Sequence, residues 1–170
     1  EFGMPFSSSA KSAAAVTREV RRAVDLPISI TLAPNVPDIG GIAQAVAQEG
    51  ADAITAVNTM PAMLIDAHAS MPMLKNRAGG LSGPALKPIA LRCVAEIASR
   101  VSLPIIGTGG VSTGLDAVEM IMAGATLVGV GSAIWYEGPE VMKRISSEMI
   151  SFMEAEGYNR LEALRGRAIR

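Results

Sequence analysis

The sequence predicts the α/β class, with helices alternating with short parallel strands. Three observations point there. Short apolar runs alternate with segments of helical periodicity along most of the chain. The apolar runs are continuous, as expected for parallel strands buried on both faces. Glycine clusters mark the same side of the pattern: Gly107-Thr108-Gly109-Gly110 and Gly129-Val130-Gly131-Ser132 each sit at the end of an apolar run, and Ala78-Gly79-Gly80-Leu81-Ser82-Gly83-Pro84 closes a long loop that follows one.

Each element has its own signal. A helix is expected over 10–24, capped by Ser8 or Ser9. Pro27 opens a strand over 28–32. Pro34 and Pro37 mark a loop, and Asp38 lies near the start of a helix ending at Gly50. A strand over 52–57 leads into a long loop, 58–84, and then a helix over 87–100, where Pro88 is acceptable in the first turn. Pro104 opens a strand over 105–107. A helix over 115–123 stops at Gly124, and a strand over 126–130 follows. Helices over 139–156 and 160–166 complete the pattern. Internal echoes support a repeated unit: Glu49-Gly50-Ala51-Asp52-Ala53 resembles Ala123-Gly124-Ala125-Thr126-Leu127.

Four βα units are about half of an eight-stranded barrel, whose usual length is roughly 250 residues. Four parallel strands alone leave two unpaired edges and an open interior. A second half is therefore expected from another copy, a separate chain or a preceding segment. The first nine residues read as a loop or a cut edge.

Composition bounds the function. The 170 residues suit one domain, and 49% apolar with 18% charged content suits a large core. The net charge is −1 and no basic run exceeds two residues, which argues against nucleic-acid or anionic-membrane binding. A single cysteine, Cys93, excludes an intrachain disulfide framework and suggests a reducing, cytoplasmic compartment. No apolar run reaches the roughly 18 residues of a membrane span, and no signal-peptide pattern is visible.

Glycine at a strand end lets backbone N–H groups approach an anion with no side chain in the way. The three clusters thus predict a phosphate grip at one end of the sheet. A larger residue at Gly110 is expected to block the anion and spare the fold.

The runs Leu32-Ala33-Pro34-Asn35-Val36-Pro37-Asp38-Ile39, Asn58-Thr59, Asn76 to Arg92, Gly107 to Ser112 and Val128 to Ala133 resemble the dihydroorotate dehydrogenases, and more narrowly their soluble, NAD-linked branch. The order of the blocks matches the C-terminal half of that family's TIM barrel, strands five to eight. The resemblance implies FMN as cofactor. Ser82-Gly83, Gly109-Gly110 and Gly131-Ser132 would hold its phosphate, helped by the positive end of the helix beginning near Leu115. Val57 would touch the flavin, and Asn58 and Thr59 would bind dihydroorotate or orotate, a task that suits an amide. The loop 60–78 would lie near the mouth of the site. The implied partners are the N-terminal half of the barrel, or self-association, and an iron–sulfur flavoprotein subunit.

Two departures accompany the match. The family's lysine, which sets a positive charge beside the flavin, is replaced here by Thr31. The family's catalytic base lies on a part of the barrel that this chain lacks, and Cys93, inside the 87–100 helix, cannot replace it, so no catalytic residue is visible. Besides the enzymatic reading stand a non-catalytic half-barrel that keeps the phosphate grip, and a flavoenzyme like dihydropyrimidine dehydrogenase.

The remaining chemistry-bearing residues read as structural. Asn35 is expected as a strand-end cap, His68 as a loop residue without metal or catalytic partners, Asp66 as a turn cap, and Lys75 and Arg77 as solvated charges. Met120, Met122, Met142, Met149 and Met153 read as core filler. Trp135 and Tyr136 are expected to pack under the C-terminal helices.

Overall fold

The computed structural model describes residues 9–169. The expected cap Ser8 and the rest of the first eight residues lie outside that range.

Helix α1 (Ala10–Ala23) is capped by Ser9, whose hydroxyl accepts the Ser12 N–H at 3.2 Å. Its Arg18 guanidinium meets the Glu49 carboxylate and its Arg21 meets Asp52 at 2.9 Å, which tie the helix to the following unit. Strand β1 (Ser29–Leu32) is followed by α2 (Ile39–Gln48), capped by Asp38 through the Gly41 N–H at 2.9 Å. Strand β2 (Ala53–Ala56) comes next.

The segment expected as a plain loop is built. Strand β3 (Met60–Ala62), β4 (Ile65–Asp66), β5 (Met71–Pro72) and β6 (Gly79–Leu81) form two nested antiparallel ribbons, β3 with β6 and β4 with β5. The glycines explain the outer ribbon. A Cβ on Gly80 would collide with Thr59, so only glycine lets β6 fold back across the end of β2. Asp66 caps the inner turn as expected, accepting the N–H groups of His68 and Ala69.

A short 3-10 turn (Pro84–Leu86) leads into α3 (Lys87–Ala98), with Pro88 in its first turn. Strand β7 (Ile105–Thr108), α4 (Gly114–Met122) and β8 (Leu127–Gly129) complete the repeated pattern. An unexpected short helix, α5 (Ser132–Glu137), precedes α6 (Val141–Ala155). The helix expected over 160–166 is instead a pair of 3-10 turns, Leu161–Ala163 and Arg167–Ile169. Gly166, at φ +71°, breaks the helix, and its N–H donates to the Ile121 carbonyl at 3.0 Å, which pins the tail to the end of α4.

The four principal strands form one parallel sheet in the order β1-β2-β7-β8. Register puts Leu32, Ala56 and Gly107 in one row, with Ile30, Ile54 and Ile105 in the next on the same face. These residues, largely buried, meet the helices. The opposite face carries Thr31, Thr55, Ile106 and Leu127 in register, and there the expectation of burial on both faces fails. Thr31 is exposed and Leu127 is 61% exposed, because nothing among the described residues covers that face. The sheet is thus one wall with helices on a single side, and β1 and β8 are its open edges.

Candidate functional site

At the C-terminal ends of the strands a cavity of about 270 Å³ collects the residues that the sequence singled out. Val57, Asn58 and Thr59 come from the end of β2, Ser82 and Gly83 from the turn before α3. Gly109 and Gly110 follow β7, and Gly131 and Ser132 follow β8. Three βα connections therefore converge, the first through both of its ends, as the repeated βα pattern requires when every strand runs the same way. The end of β2 is pinned on both sides: the Val57 N–H donates to the Thr108 carbonyl at 2.8 Å and the Asn58 N–H to the Leu32 carbonyl at 2.8 Å. The Ala56–Val57 peptide bond is cis.

Thr31 and Thr55 also line this cavity, side by side in the register. The Thr55 hydroxyl lies 3.0 Å from that of Ser29, so a line of hydroxyls runs along the open face of β1 and β2. Sequence reading missed Thr55, although Ile54-Thr55-Ala56 repeats the pattern of Ile30-Thr31-Leu32, and the register pairs the two threonines. A second cavity of about 350 Å³ adjoins and shares Asn58 and Thr59 with the first. It also takes in Asn35, which is exposed and makes no hydrogen bond within the described residues, so it is not the strand-end cap expected. The signal was present: Asn35 stands just past β1 as Asn58 stands just past β2. Asn58 accepts the Thr59 N–H through its own Oδ1 at 2.8 Å, which leaves the amide NH₂ as its group free to donate.

The N–H groups of Gly109, Gly110 and Gly131 find no acceptor among the described residues. The Ser132 hydroxyl donates to the Ser82 hydroxyl at 3.1 Å, bringing two polar groups together from different loops. No charged side chain lines either cavity. An anion bound there would meet backbone dipoles and hydroxyls, the kind of concavity in which successive N–H groups hold phosphate.

Two expectations about this grip need correction. The glycines of the β7 loop are required by packing, whatever else they do. At Gly110, with φ +75°, a Cβ would lie 2.7 Å from the Lys87 backbone nitrogen and 2.9 Å from the Gly83 carbonyl. A side chain there would disturb the fold as well as the ligand. At Gly131 the space is open, with nothing within 4 Å of an added Cβ. The second correction concerns α4. Its start is largely taken up: Asp116 accepts the Ser112 and Thr113 N–H groups at 2.9 and 2.8 Å, Thr113 accepts that of Asp116, and Glu148 accepts that of Gly114 at 2.6 Å, so that only the Leu115 N–H of the first turn lacks an acceptor among the described residues. Carboxylates of the chain itself hold the positive end of the helix, which leaves little for a ligand.

The charges behind the loops are locked in pairs. Lys87 reaches Asp116 at 2.6 Å and Glu119 at 2.7 Å, and these partners raise its pKa. Burial pushes Asp116 up, but the Lys87 ammonium and the Ser112 and Thr113 groups together outweigh it and hold the carboxyl low. Glu148 is lowered by the Gly114 N–H and by Arg144. Lys87 is thus committed elsewhere, and the cavity has no cation in place of the lysine that the resemblance puts at Thr31.

Cys93 is fully buried in α3, with its thiol pushed up by burial, and it lines neither cavity. His68 is exposed on the inner ribbon, and among the described residues no three His, Cys, Asp or Glu side chains gather as a metal set. Lys75 and Arg77 are exposed as expected. Met120 is buried and Met122, Met149 and Met153 pack against the core, but Met142 is 44% exposed. Trp135 and Tyr136 do not pack under the C-terminal helices. They are 87% and 79% exposed, because α5 turns its small Ala133 inward and these rings outward.

The family model for dihydroorotate dehydrogenase matches residues 3–153. The chain belongs to the dihydroorotate dehydrogenase family. The NAD(+)-type dihydroorotate dehydrogenase B catalytic subunit of Methanothermobacter thermautotrophicus is 47% identical over 154 residues, 90% of this chain and 51% of that one. The corresponding subunit of Pyrococcus horikoshii is 38% identical over 169 residues, 99% of this chain and 56% of that one. A fumarate-type dihydroorotate dehydrogenase A from Lacticaseibacillus paracasei is 46% identical over 154 residues, 91% of this chain and 53% of that one. The chain thus spans about half the length of the curated relatives it matches. Among the described residues, no helix is long and apolar enough to cross a membrane.

Proposed function

We propose that this chain forms strands five to eight of an FMN-binding TIM barrel, the C-terminal half, and contributes to the oxidation of dihydroorotate to orotate in pyrimidine biosynthesis. The observation that carries the reading is the convergence of Val57, Asn58, Thr59, Ser82, Gly83, Gly109, Gly110, Gly131 and Ser132 on one cavity at the strand ends. The unpartnered N–H groups of Gly109, Gly110 and Gly131 and the paired hydroxyls of Ser82 and Ser132 fit a phosphate. Val57 would border the flavin ring. Asn58, Thr59 and Asn35 suit the adjoining cavity to a ring that carries C=O and N–H groups, such as the pyrimidine. Bound FMN supplies the two-electron acceptor. The open face and free edges of the sheet call for a second half, and the length of the relatives supports one in the same protein. The reading carries with it a cytoplasmic enzyme and, by analogy with the NAD(+)-type relatives, a separate electron-transfer subunit with iron–sulfur and flavin groups.

A second reading is favoured by one observation: Thr31 leaves the cavity without a charge. On that reading the site binds flavin and turns nothing over. One experiment separates the two. The full protein carrying this chain is purified and titrated with FMN, and dihydroorotate is then added without oxygen. The enzymatic reading expects a bound flavin whose visible absorbance bleaches. A bound flavin that stays oxidised supports the binding module, and no flavin binding at all sinks both. Bleaching by dihydrouracil but not by dihydroorotate would instead favour a dihydropyrimidine dehydrogenase-like enzyme.

A further inference from the structure

Arg144, on α6, lies outside every motif that the sequence reading used. Its guanidinium nevertheless joins the supports of two cavity loops. One nitrogen donates to the Ser112 carbonyl at 3.0 Å, just past the Gly109-Gly110 loop, and to the Glu137 carboxylate at 2.6 Å, at the end of α5. The other donates to Glu148 at 2.8 Å, and Glu148 in turn accepts the Gly114 N–H at 2.6 Å. Helix α5 begins at Ser132, so its two ends connect the Gly131-Ser132 loop to Arg144. The planar fork of a guanidinium suits this task because its donors are fixed relative to one another.

We propose that Arg144 is a positioning residue that holds the β7 loop and the start of α5 at the spacing a bound phosphate needs. This rests on the flavin-binding reading above. Arg144 itself lines neither cavity, so it acts through the backbone of the loops. Removing it lets the Gly109-Gly110 and Gly131-Ser132 N–H groups drift apart while the flavin-ring side, built on β2, stays in place.

The test compares two ligands that differ only in the phosphate. FMN and riboflavin dissociation constants are measured by flavin fluorescence on the full protein, for the wild type, Arg144→Met and Arg144→Lys. Arg144→Met is expected to weaken FMN by about tenfold, taking as a guide the lower end of the loss when outer support is removed from a metal site, and to leave riboflavin unchanged. Arg144→Lys, a point charge without the fork, is expected to fall between. Equal weakening of both ligands would overturn the proposal in favour of general loosening, and unchanged FMN affinity would overturn it outright. If Arg144→Met does not fold, Glu137→Gln is the second variant, and it is expected to lower the FMN-to-riboflavin preference in the same direction. Failure of the flavin reading shows separately, as a wild-type protein that binds neither ligand.

Discussion

Replacing Gly110 by alanine tests the packing account of the β7 loop most directly. The residue sits at φ +75°, where an L side chain costs about 1–2 kcal/mol. The new Cβ would lie 2.7 Å from both the Lys87 nitrogen and its Cβ, and 2.9 Å from the Gly83 carbonyl. Two of these neighbours are backbone, so relief requires moving the start of α3 or the loop itself. Overpacking of this kind costs roughly 1–3 kcal/mol. The sum is roughly 2–5 kcal/mol, or a fall of roughly 4–20 °C in Tm for a chain of this size. Gly131→Ala is the control, since its Cβ meets nothing within 4 Å, and it should stay within about 0.5 kcal/mol of the wild type. Thermal or urea unfolding without flavin measures both. A Gly110→Ala protein as stable as Gly131→Ala would refute the reasoning and restore the view that these glycines exist only for the ligand.

The other predictions concern charge and the ligand. Asp116 and Glu148 are held below their ordinary values of 3.8 and 4.5, so the stability they contribute is present above that range and is lost as pH falls through their folded values. Acid should therefore loosen the β7–α4 junction, seen as a fall in Tm below about pH 4, and Asp116→Asn or Glu148→Gln should each flatten part of that fall. Lys87 is raised, so its contribution is complete below its ordinary 10.5 and is lost only as pH rises past that value, which a Tm profile at alkaline pH would register. Thr31→Lys should tighten FMN and make its affinity salt-dependent, because it adds the only charge to a neutral cavity; identical affinities at low and high salt would count against the cavity as the flavin site. Asn58→Ala should weaken orotate by about tenfold, the loss of one well-made hydrogen bond, with little change in Tm, since the exposed amide serves only the Thr59 N–H.

The elements that read well from sequence are those in which a local rule and the tertiary packing agree. Asp38 at the start of α2, Pro88 in the first turn of α3 and the apolar runs of β1, β2 and β7 all fall in that class. Those that read poorly had weak local signals. The ribbons of residues 60–81 have strands of two or three residues, too short for any periodicity, and are set by the Gly80 contact with Thr59. Helix α5 has six residues and no side-chain cap, and the 160–166 segment was misread because a glycine at positive φ near its end is worth more than helix propensity. Trp135 and Tyr136 were misplaced by the general rule that large rings are buried, which a short surface helix does not obey.

The sequence by itself determined the class of fold, the family and the residues at the strand ends. Parallel strands joined by helices put all their C-terminal ends on one side, and that is why Val57, Asn58, Ser82, Gly109 and Gly131 line one cavity. Only the tertiary structure decided what each glycine is for, which helix end is already satisfied and which charges are spent. Those are questions of distance between segments far apart in the chain. Lys87 with Asp116, Arg144 with Ser112, and Gly110 against the Gly83 carbonyl are contacts that no local pattern encodes. The glycine and serine loops were legible in the residues, but their supports and the neutrality of the cavity became visible only where the loops meet.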